Sequence, residues 1–382
     1  MSSMDENEVY SRLCTLIANR SDRVLTFETL SFAPEPLQVD GEYVGITKKA
    51  LIKAFLKARA TFFGFIRRQR EENVVPYPET VLLMTSIILL YDTEFLTAVN
   101  WRKNWLIHQL QTGDRELAVA AVSRELSFTA SLLASPMHRT AKSPMIWFHR
   151  LWILQMLLEE GRQLADLLQS VAVRTMDAEW GFSSNMLEHT SHIPRTAADH
   201  PNLELVDFMR VWRYELSLVQ RAGENHPHNY YAWKHLRHIF DCVKARSLVL
   251  GVIVDGSTTE EIIAEAALTQ TQRWCMQHPR DVSGWSFLQF LLHHIKNISL
   301  QHQCVKQTID YARKIGWEGE GLWRFVDSIT DQFNIDNELS HEERQADIMA
   351  VTEKENEGET ITIERNRWKR WIASHGIQEG HE

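Results

Sequence analysis

The side chains best suited to chemistry in this 382-residue chain are its four cysteines and its grouped histidines. Cys14, Cys242, Cys275 and Cys304 stand far apart with no CxxC pair, which indicates neither a disulfide framework nor a sequence-local zinc site. Reduced, buried thiols are the expectation. His189, His192 and His200 have no cysteine nearby and read as part of a solvated polar loop, so no metal site is assigned. His293 and His294 are adjacent and point to different faces of a helix, which prevents them from acting as an i,i+4 pair. There is no Gly-rich phosphate loop, nucleophile elbow or GxGxxG fingerprint. The chain is therefore not expected to be an enzyme on its own.

Charge narrows the classes further. A formal net charge of −9 disfavours a general nucleic-acid binder, whose affinity needs clustered Lys and Arg. Thirteen acids against six bases lie between Asp331 and Glu382, so most of the negative charge belongs to the tail. The N-terminus lacks the basic and apolar regions of a secretory signal. The longest apolar run, Val81 to Tyr91, is broken by Thr85 and Ser86 and is far short of the roughly 20 residues that span a bilayer. A cytoplasmic chain without a transmembrane segment is expected.

The elements that must position any functional residue are helical. Sixteen Gly and ten Pro are few for this length, which disfavours turn-dense β folds. Residues 1–47 form an N-terminal segment, with a short helical stretch near Val9–Ala18 followed by a loop marked by Pro34, Pro36, Gly41 and Gly45. A basic amphipathic helix then begins, with Leu51, Ile52, Phe55, Leu56, Phe62, Phe63 and Ile66 on an apolar stripe and Lys48, Lys49, Lys53, Lys57, Arg59, Arg67, Arg68 and Arg70 in other directions. An acidic partner or a membrane surface would suit it, but a solvated face over a core stripe is the preferred reading.

Residues 48–330 are read as a nearly all-helical repeat domain. Four segments share a layout of an acid-started helix, a polar break and a second helix with an aromatic near its start. They run from Glu79 to Val99, Glu125 to Trp147, Glu215 to Trp233 and Glu265 to Trp285, with offsets of 20, 22, 18 and 20 residues. A weaker fifth unit ends at Trp323-Arg324, and an inserted loop lies near 173–202. Hairpins of this kind bury their apolar faces only by stacking, which gives an all-α superhelical array of antiparallel helical hairpins with a concave surface. Residues 331–382 form an acidic, partly disordered tail in which Trp368 and Trp371 lie on a possible terminal helix.

The breaks carry a resemblance. Ala141-Lys-Ser-Pro-Met-Ile-Trp-Phe-His-Arg150 and His226-Pro-His-Asn-Tyr-Tyr-Ala-Trp-Lys-His235 resemble the Pro-Lys-Asn-Tyr-x-x-Trp-x-His-Arg signature of protein prenyltransferase alpha subunits, whose repeats are tetratricopeptide-like. Glu125-Leu-Ser-Phe128, His149-Arg-Leu-Trp152 and Asp281-Val-Ser-Gly-Trp285 are similar to the repeat-containing branch of that family, associated with a type III geranylgeranyltransferase. The likeness covers roughly residues 80–295. It implies the alpha subunit of a heterodimer whose beta subunit, of the Rab geranylgeranyltransferase type, carries zinc and most of the isoprenoid pocket. No cofactor is implied in this chain. An isoprenoid diphosphate would be the co-substrate, and the acceptor a protein with a cysteine near its C-terminus.

By the same resemblance, Lys142 and Tyr230 occupy the places from which alpha subunits address the diphosphate, where an ammonium and a phenolic hydroxyl would stabilise the departing charge. Asn100, Arg102, Trp147, His149, Arg150, Asn229, Trp233, His235, Arg237 and Trp285 take the repeat-motif and interface places. The pattern is incomplete. Val99 stands in the first Trp place, Pro144 in a Tyr place, and Leu236 and Leu288 in Arg places. These departures keep a second class open, a non-catalytic helical scaffold that binds proteins on its concave face.

Overall fold

The computed structural model describes residues 6–21, 23–72, 78–159, 201–250, 253–254, 257–317 and 319–333. Thirteen helices are found among them with little sheet, an all-α repeat fold. The chain divides into two compact units, Met1–Val254 and Asp255–Glu382.

The first unit opens with α1 (Glu6–Asn19), then β1 (Thr26–Leu30), β2 (Leu37–Asp40) and β3 (Tyr43–Thr47). A loop was expected here; the chain instead forms a mixed sheet of order β1-β3-β2, parallel on one side of β3 and antiparallel on the other. Gly41 makes it possible. Its φ of 56° suits the first central position of the two-residue turn between Asp40 and Tyr43. Short strands escape detection by periodicity, yet Phe27, Leu37, Val44 and Ile46 are all buried. The segment is also pinned to the repeats: Leu25 N donates to Ser131 Oγ at 2.8 Å and Ser135 Oγ donates to the Phe27 carbonyl at 2.6 Å.

The basic helix α2 (Lys48–Glu72) follows, and then three hairpins. These are α3 (Pro78–Tyr91) with α4 (Leu96–Gln111), α5 (Arg115–Leu133) with α7 (Pro144–Glu159), and α8 (Pro201–Asn225) with α9 (Tyr230–Leu250). The short α6 (His138–Ala141) lies in the break of the second hairpin. The second unit holds two hairpins, α10 (Thr259–Gln277) with α11 (Val282–His293) and α12 (Ile298–Ile315) with α13 (Glu320–Phe333). Two-residue strands at Ile253–Val254 and Ser257–Thr258 precede them. The inserted-loop residues 173–200, with His189, His192 and His200, and the tail beyond Phe333 lie outside the described residues.

The starts of these helices are written in side chains that satisfy otherwise orphaned backbone N–H groups. Asp114 accepts from Leu117 N before α5, Asp281 from Ser283 N and Gly284 N before α11, and Asn297 from Leu300 N before α12. Packing requires glycine at 284, because a Cβ there would stand 2.6 Å from the Trp274 ring.

Each hairpin carries a buried residue at the fourth position of its second long helix: Val99, Trp147, Trp233, Trp285 and Trp323. Three of the indoles share one bond as well. Trp147 Nε1 donates to the Ala141 carbonyl, Trp285 Nε1 to that of Pro279 and Trp323 Nε1 to that of Trp317, each six residues upstream, at 2.9, 3.0 and 2.7 Å. The indole therefore fills the hairpin core and fastens the break to the helix after it. Trp323 marks a full fifth repeat.

Candidate functional site

Two features of the first unit meet the requirements of a site: a buried polar ladder that sets the spacing of the hairpins, and the edge of breaks that this spacing aligns. The ladder begins at Glu125 on α5. Arg102 from the preceding hairpin donates Nε to Oε1 at 2.8 Å and Nη2 to Oε2 at 2.7 Å, while His149 Nε2 lies 2.7 Å from Oε1. The pattern repeats one hairpin later. Arg150 donates Nη2 to Glu215 Oε1 at 2.6 Å and Nε to Oε2 at 2.9 Å, and His235 Nε2 lies 2.8 Å from Oε2. All six side chains are buried.

Each arginine also binds its own hairpin. Arg102 Nη1 donates to the Leu82 carbonyl, Thr85 Oγ1 and Ser86 Oγ, and Arg150 Nη1 to the Leu126 carbonyl and Thr129 Oγ1. A guanidinium is the one side chain that can present this fork to a carboxylate and still keep a donor for a backbone carbonyl.

This register corrects the repeat layout. Leu82 and Thr85 match Leu126 and Thr129, so the first-hairpin place equivalent to Glu125 is the buried Val81. Glu79 is exposed and pairs with Arg124. Glu265 is half-buried, its carboxyl raised by burial and by Glu261 beside it. Only Glu125 and Glu215 of the four acids that marked the layout join the ladder. Leu288 is buried at the Arg place of the fourth hairpin, beside Phe287 at the His place, so the ladder gives way to apolar packing there. Leu236 is likewise buried, and Arg237 beside it is half-buried.

The electrostatics follow from the geometry. Burial alone would raise both carboxyls, but Arg102 with His149 and Arg150 with His235 outweigh it and hold Glu125 and Glu215 at about 2. Burial pushes His235 below the ordinary imidazole value despite its bond to Glu215. A neutral His235 donating from Nε2 satisfies both facts, because its buried Nδ1 meets no partner among the described residues and a proton there would be orphaned.

The ladder aligns the second and third breaks. Lys142 ends α6, and its Nζ donates across the hairpins to the Pro227 carbonyl at 2.9 Å. The buried Asn229 sends Nδ2 to the Ala141 carbonyl at 2.9 Å, the same oxygen that accepts the Trp147 indole. Tyr230 opens α9 and is 56% exposed, next to Tyr231 and with Lys234 Nζ 5.8 Å from its ring centre. The His138 and His226 rings meet edge-on at 5.3 Å, and burial with the neighbouring His138 depresses His226. The edge thus gathers Arg139, Lys142 and Lys234, with three histidines at 138, 226 and 228. The acids beside it are Glu94, which accepts from Ser143 Oγ, Asp92, which accepts from Glu94 N, and the exposed Glu224, two residues before His226.

Several expected residues have no part in it. Asn100 is exposed on α4, and Trp285 belongs to the second unit. Cys14 and Cys242 are half-buried where burial was expected; Cys275 and Cys304 are buried, the Cys304 thiol pushed up to about 12 by burial. No group of three His, Cys, Asp or Glu among the described residues could hold a metal ion, and no described helix is long and apolar enough to cross a membrane. Glu125 and Glu215, which lie outside the residues matched to the break signature, carry the ladder. Their signal in the sequence was the recurrent Glu-Leu-Ser at both places.

The ECM9 middle domain family model matches residues 206–315. Among curated proteins, the chain is similar to "Protein prenyltransferase alpha subunit repeat-containing protein 1" of Danio rerio, 23% identical over 218 residues, which covers 56% of this chain and 38% of that protein. The Homo sapiens protein of the same name is 24% identical over 209 residues, covering 55% and 39%. The Xenopus laevis "Protein prenyltransferase alpha subunit repeat-containing protein 1-A" is 24% identical over 218 residues, covering 57% and 38%. The match therefore spans well under half the length of each of these relatives. The suspected relationship read from the breaks agrees with these names, and the chain carries prenyltransferase alpha-like helical repeats.

Proposed function

We propose that this chain is the alpha subunit of a heterodimeric protein prenyltransferase that transfers a geranylgeranyl group to a cysteine near an acceptor protein's C-terminus. One observation carries the reading: Lys142 and Tyr230 stand on adjacent breaks, held together by the Lys142–Pro227 and Asn229–Ala141 bonds. The names of the relatives favour the same class. In the transfer, a carbon–sulfur bond forms as the carbon–oxygen bond to diphosphate breaks, and the thiol proton leaves to solvent. Negative charge grows on the diphosphate. Lys142 would release the Pro227 carbonyl and turn its ammonium to those oxygens, with the Tyr230 hydroxyl as a second donor.

The beta subunit, of the Rab geranylgeranyltransferase type, would carry the zinc and the isoprenoid pocket in a cytoplasmic heterodimer. This chain would not be catalytic alone. Its ladder would contribute by holding the two breaks at a fixed separation.

Co-expression with a Rab-type beta subunit, size-exclusion chromatography and a transfer assay from geranylgeranyl diphosphate test the proposal. The expected outcome is a stable heterodimer that prenylates a Cys-terminated acceptor. Failure to assemble, where other alpha subunits do, would sink it. A stable pair without transfer to any acceptor would favour the scaffold reading, to which the buried Val81, Val99 and Leu288 already lend weight.

A further inference from the structure

Helix α2 has two faces of opposite character. Ala50, Leu51, Ala54, Ala58, Phe62 and Phe65 are buried, and the helix packs against α1, α3 and β3. Away from them, Lys49, Leu56, Phe63 and Arg67 follow one another at spacings of seven, seven and four residues, which places them in one line along the helix. The sequence pattern assigned Leu56 and Phe63 to the core stripe; they are 54% and 39% exposed. Lys48, Lys57, Arg59 and Arg68 are exposed around that line, and the Arg59 guanidinium carbon lies 5.3 Å from the Phe63 ring centre. No acidic residue occurs from Lys48 to Arg70. The helix closes on two acids, Glu71, exposed four residues after Arg67, and Glu72. Beside the middle of the face, the Phe95 ring, after the turn that holds Asp92 and Glu94, is 6.0 Å from that of Phe63.

A face that is only solvated needs the cations and not the two apolar side chains. A nucleic acid would meet the cations and gain nothing from Leu56, and the net charge of −9 disfavours a general polyanion binder. An interfacial helix uses both, with cations at anionic headgroups and apolar side chains at the headgroup–acyl boundary. From Lys49 to Arg67 the contact line is about 27 Å long. Beyond roughly 8 Å, salt screens the repulsion from the rest of the acidic protein.

We propose that the exposed face of α2 binds anionic membrane surfaces, with Lys49, Lys57, Arg59 and Arg67 on the headgroups and Leu56 and Phe63 inserted between them. The proposal does not depend on prenyl transfer.

Flotation of the full chain with vesicles tests it. Phosphatidylcholine vesicles containing about a third phosphatidylserine should carry the protein, and pure phosphatidylcholine should not. Each cation contributes about fivefold to binding, so Lys49→Gln with Arg67→Gln should weaken it about 30-fold. Arg313→Gln with Arg324→Gln, on helices of the second unit, should leave it unchanged. Leu56→Ser should weaken binding without altering its salt dependence, and a Leu56→Trp variant should show a blue-shifted emission on anionic vesicles. These positions are exposed, and circular dichroism confirms folding of each variant. No binding to the anionic vesicles, or binding indifferent to Lys49, Arg67 and Leu56, overturns the proposal. Equal binding to both vesicle types also overturns it. So does a preference for polyglutamate or an RNA duplex that the α2 substitutions abolish, an outcome that assigns the face to an acidic macromolecule.

Discussion

Arg150 and Glu215, 65 residues apart in sequence, form a fully buried bidentate pair that joins the second hairpin to the third. Removing one partner strands the other charge in a medium that cannot solvate it. Arg150→Ala and Glu215→Gln should each cost about 3–5 kcal/mol. At roughly 2–4 °C per kcal/mol for a unit of this size, each should lower its melting temperature by roughly 6–20 °C. Because both substitutions break the same bonds, the double variant should lose less than the sum of the two. Thermal unfolding of the four proteins measures the cycle, and strict additivity would show that the pair is not coupled.

Acid should unfold this unit through the same ladder. The Glu125 and Glu215 carboxyls sit at about 2, below the ordinary value of 4.5, so each adds stability that is complete above 4.5 and lost as pH falls toward 2. His235 acts in the same direction at higher pH. Its folded value is depressed, so the unfolded chain binds the proton more readily and stability falls as pH drops below 6.5. Urea midpoints should therefore decline from neutrality in two stages, the first smaller in His235→Gln, where the depressed His226 still contributes. A flat profile between pH 7 and 3 would contradict the assigned charge states.

The legible part of the fold was the part with period. The Trp places and the helical hairpins followed from spacing, because a large indole at the fourth position of a helix leaves a mark that recurs. Val81 and Val99 show why the rest is hidden: the first hairpin keeps the shape of the repeat with apolar residues, so the acid at the expected spacing is the exposed Glu79 and not the true equivalent. The three-stranded sheet was hidden for another reason. Its strands have only four or five residues, too few to establish a period, and their register depends on Gly41 and on bonds to Ser131 and Ser135 more than 100 residues away. Of the candidate site, the types at Lys142, Asn229 and Tyr230 were readable from the breaks. That Lys142 reaches the Pro227 carbonyl is a fact of stacking, and no one-dimensional spacing encodes it.

The indole bond and the indole bulk can be separated at Trp147. Trp147→Phe keeps most of the apolar contact and removes the donor to the Ala141 carbonyl, which still accepts from Asn229. The expected cost is about 1–2 kcal/mol. Trp147→Ala opens a cavity and should cost about 3–5 kcal/mol. Denaturant titration distinguishes them, and equal losses would mean that the hydrogen bond, not the packing, holds the hairpin.

Lys142 separates chemistry from assembly. The bond from its ammonium to the Pro227 carbonyl lies at an exposed edge, so Lys142→Ala should change stability by less than about 1 kcal/mol and leave association with a beta subunit intact. If its ammonium serves the departing diphosphate in a site that excludes water, single-turnover transfer should slow by 10²–10³-fold, about 2.7–4 kcal/mol of barrier. Tyr230→Phe should slow it less, because the ring remains and only the hydroxyl is lost. Lys142→Arg supplies the control, since it preserves charge but not the compact ammonium, and should recover part of the rate. Wild-type transfer in Lys142→Ala would end the catalytic assignment. Loss of the heterodimer in both Lys142→Ala and Tyr230→Phe would make the edge a docking surface, with the diphosphate handled wholly by the partner.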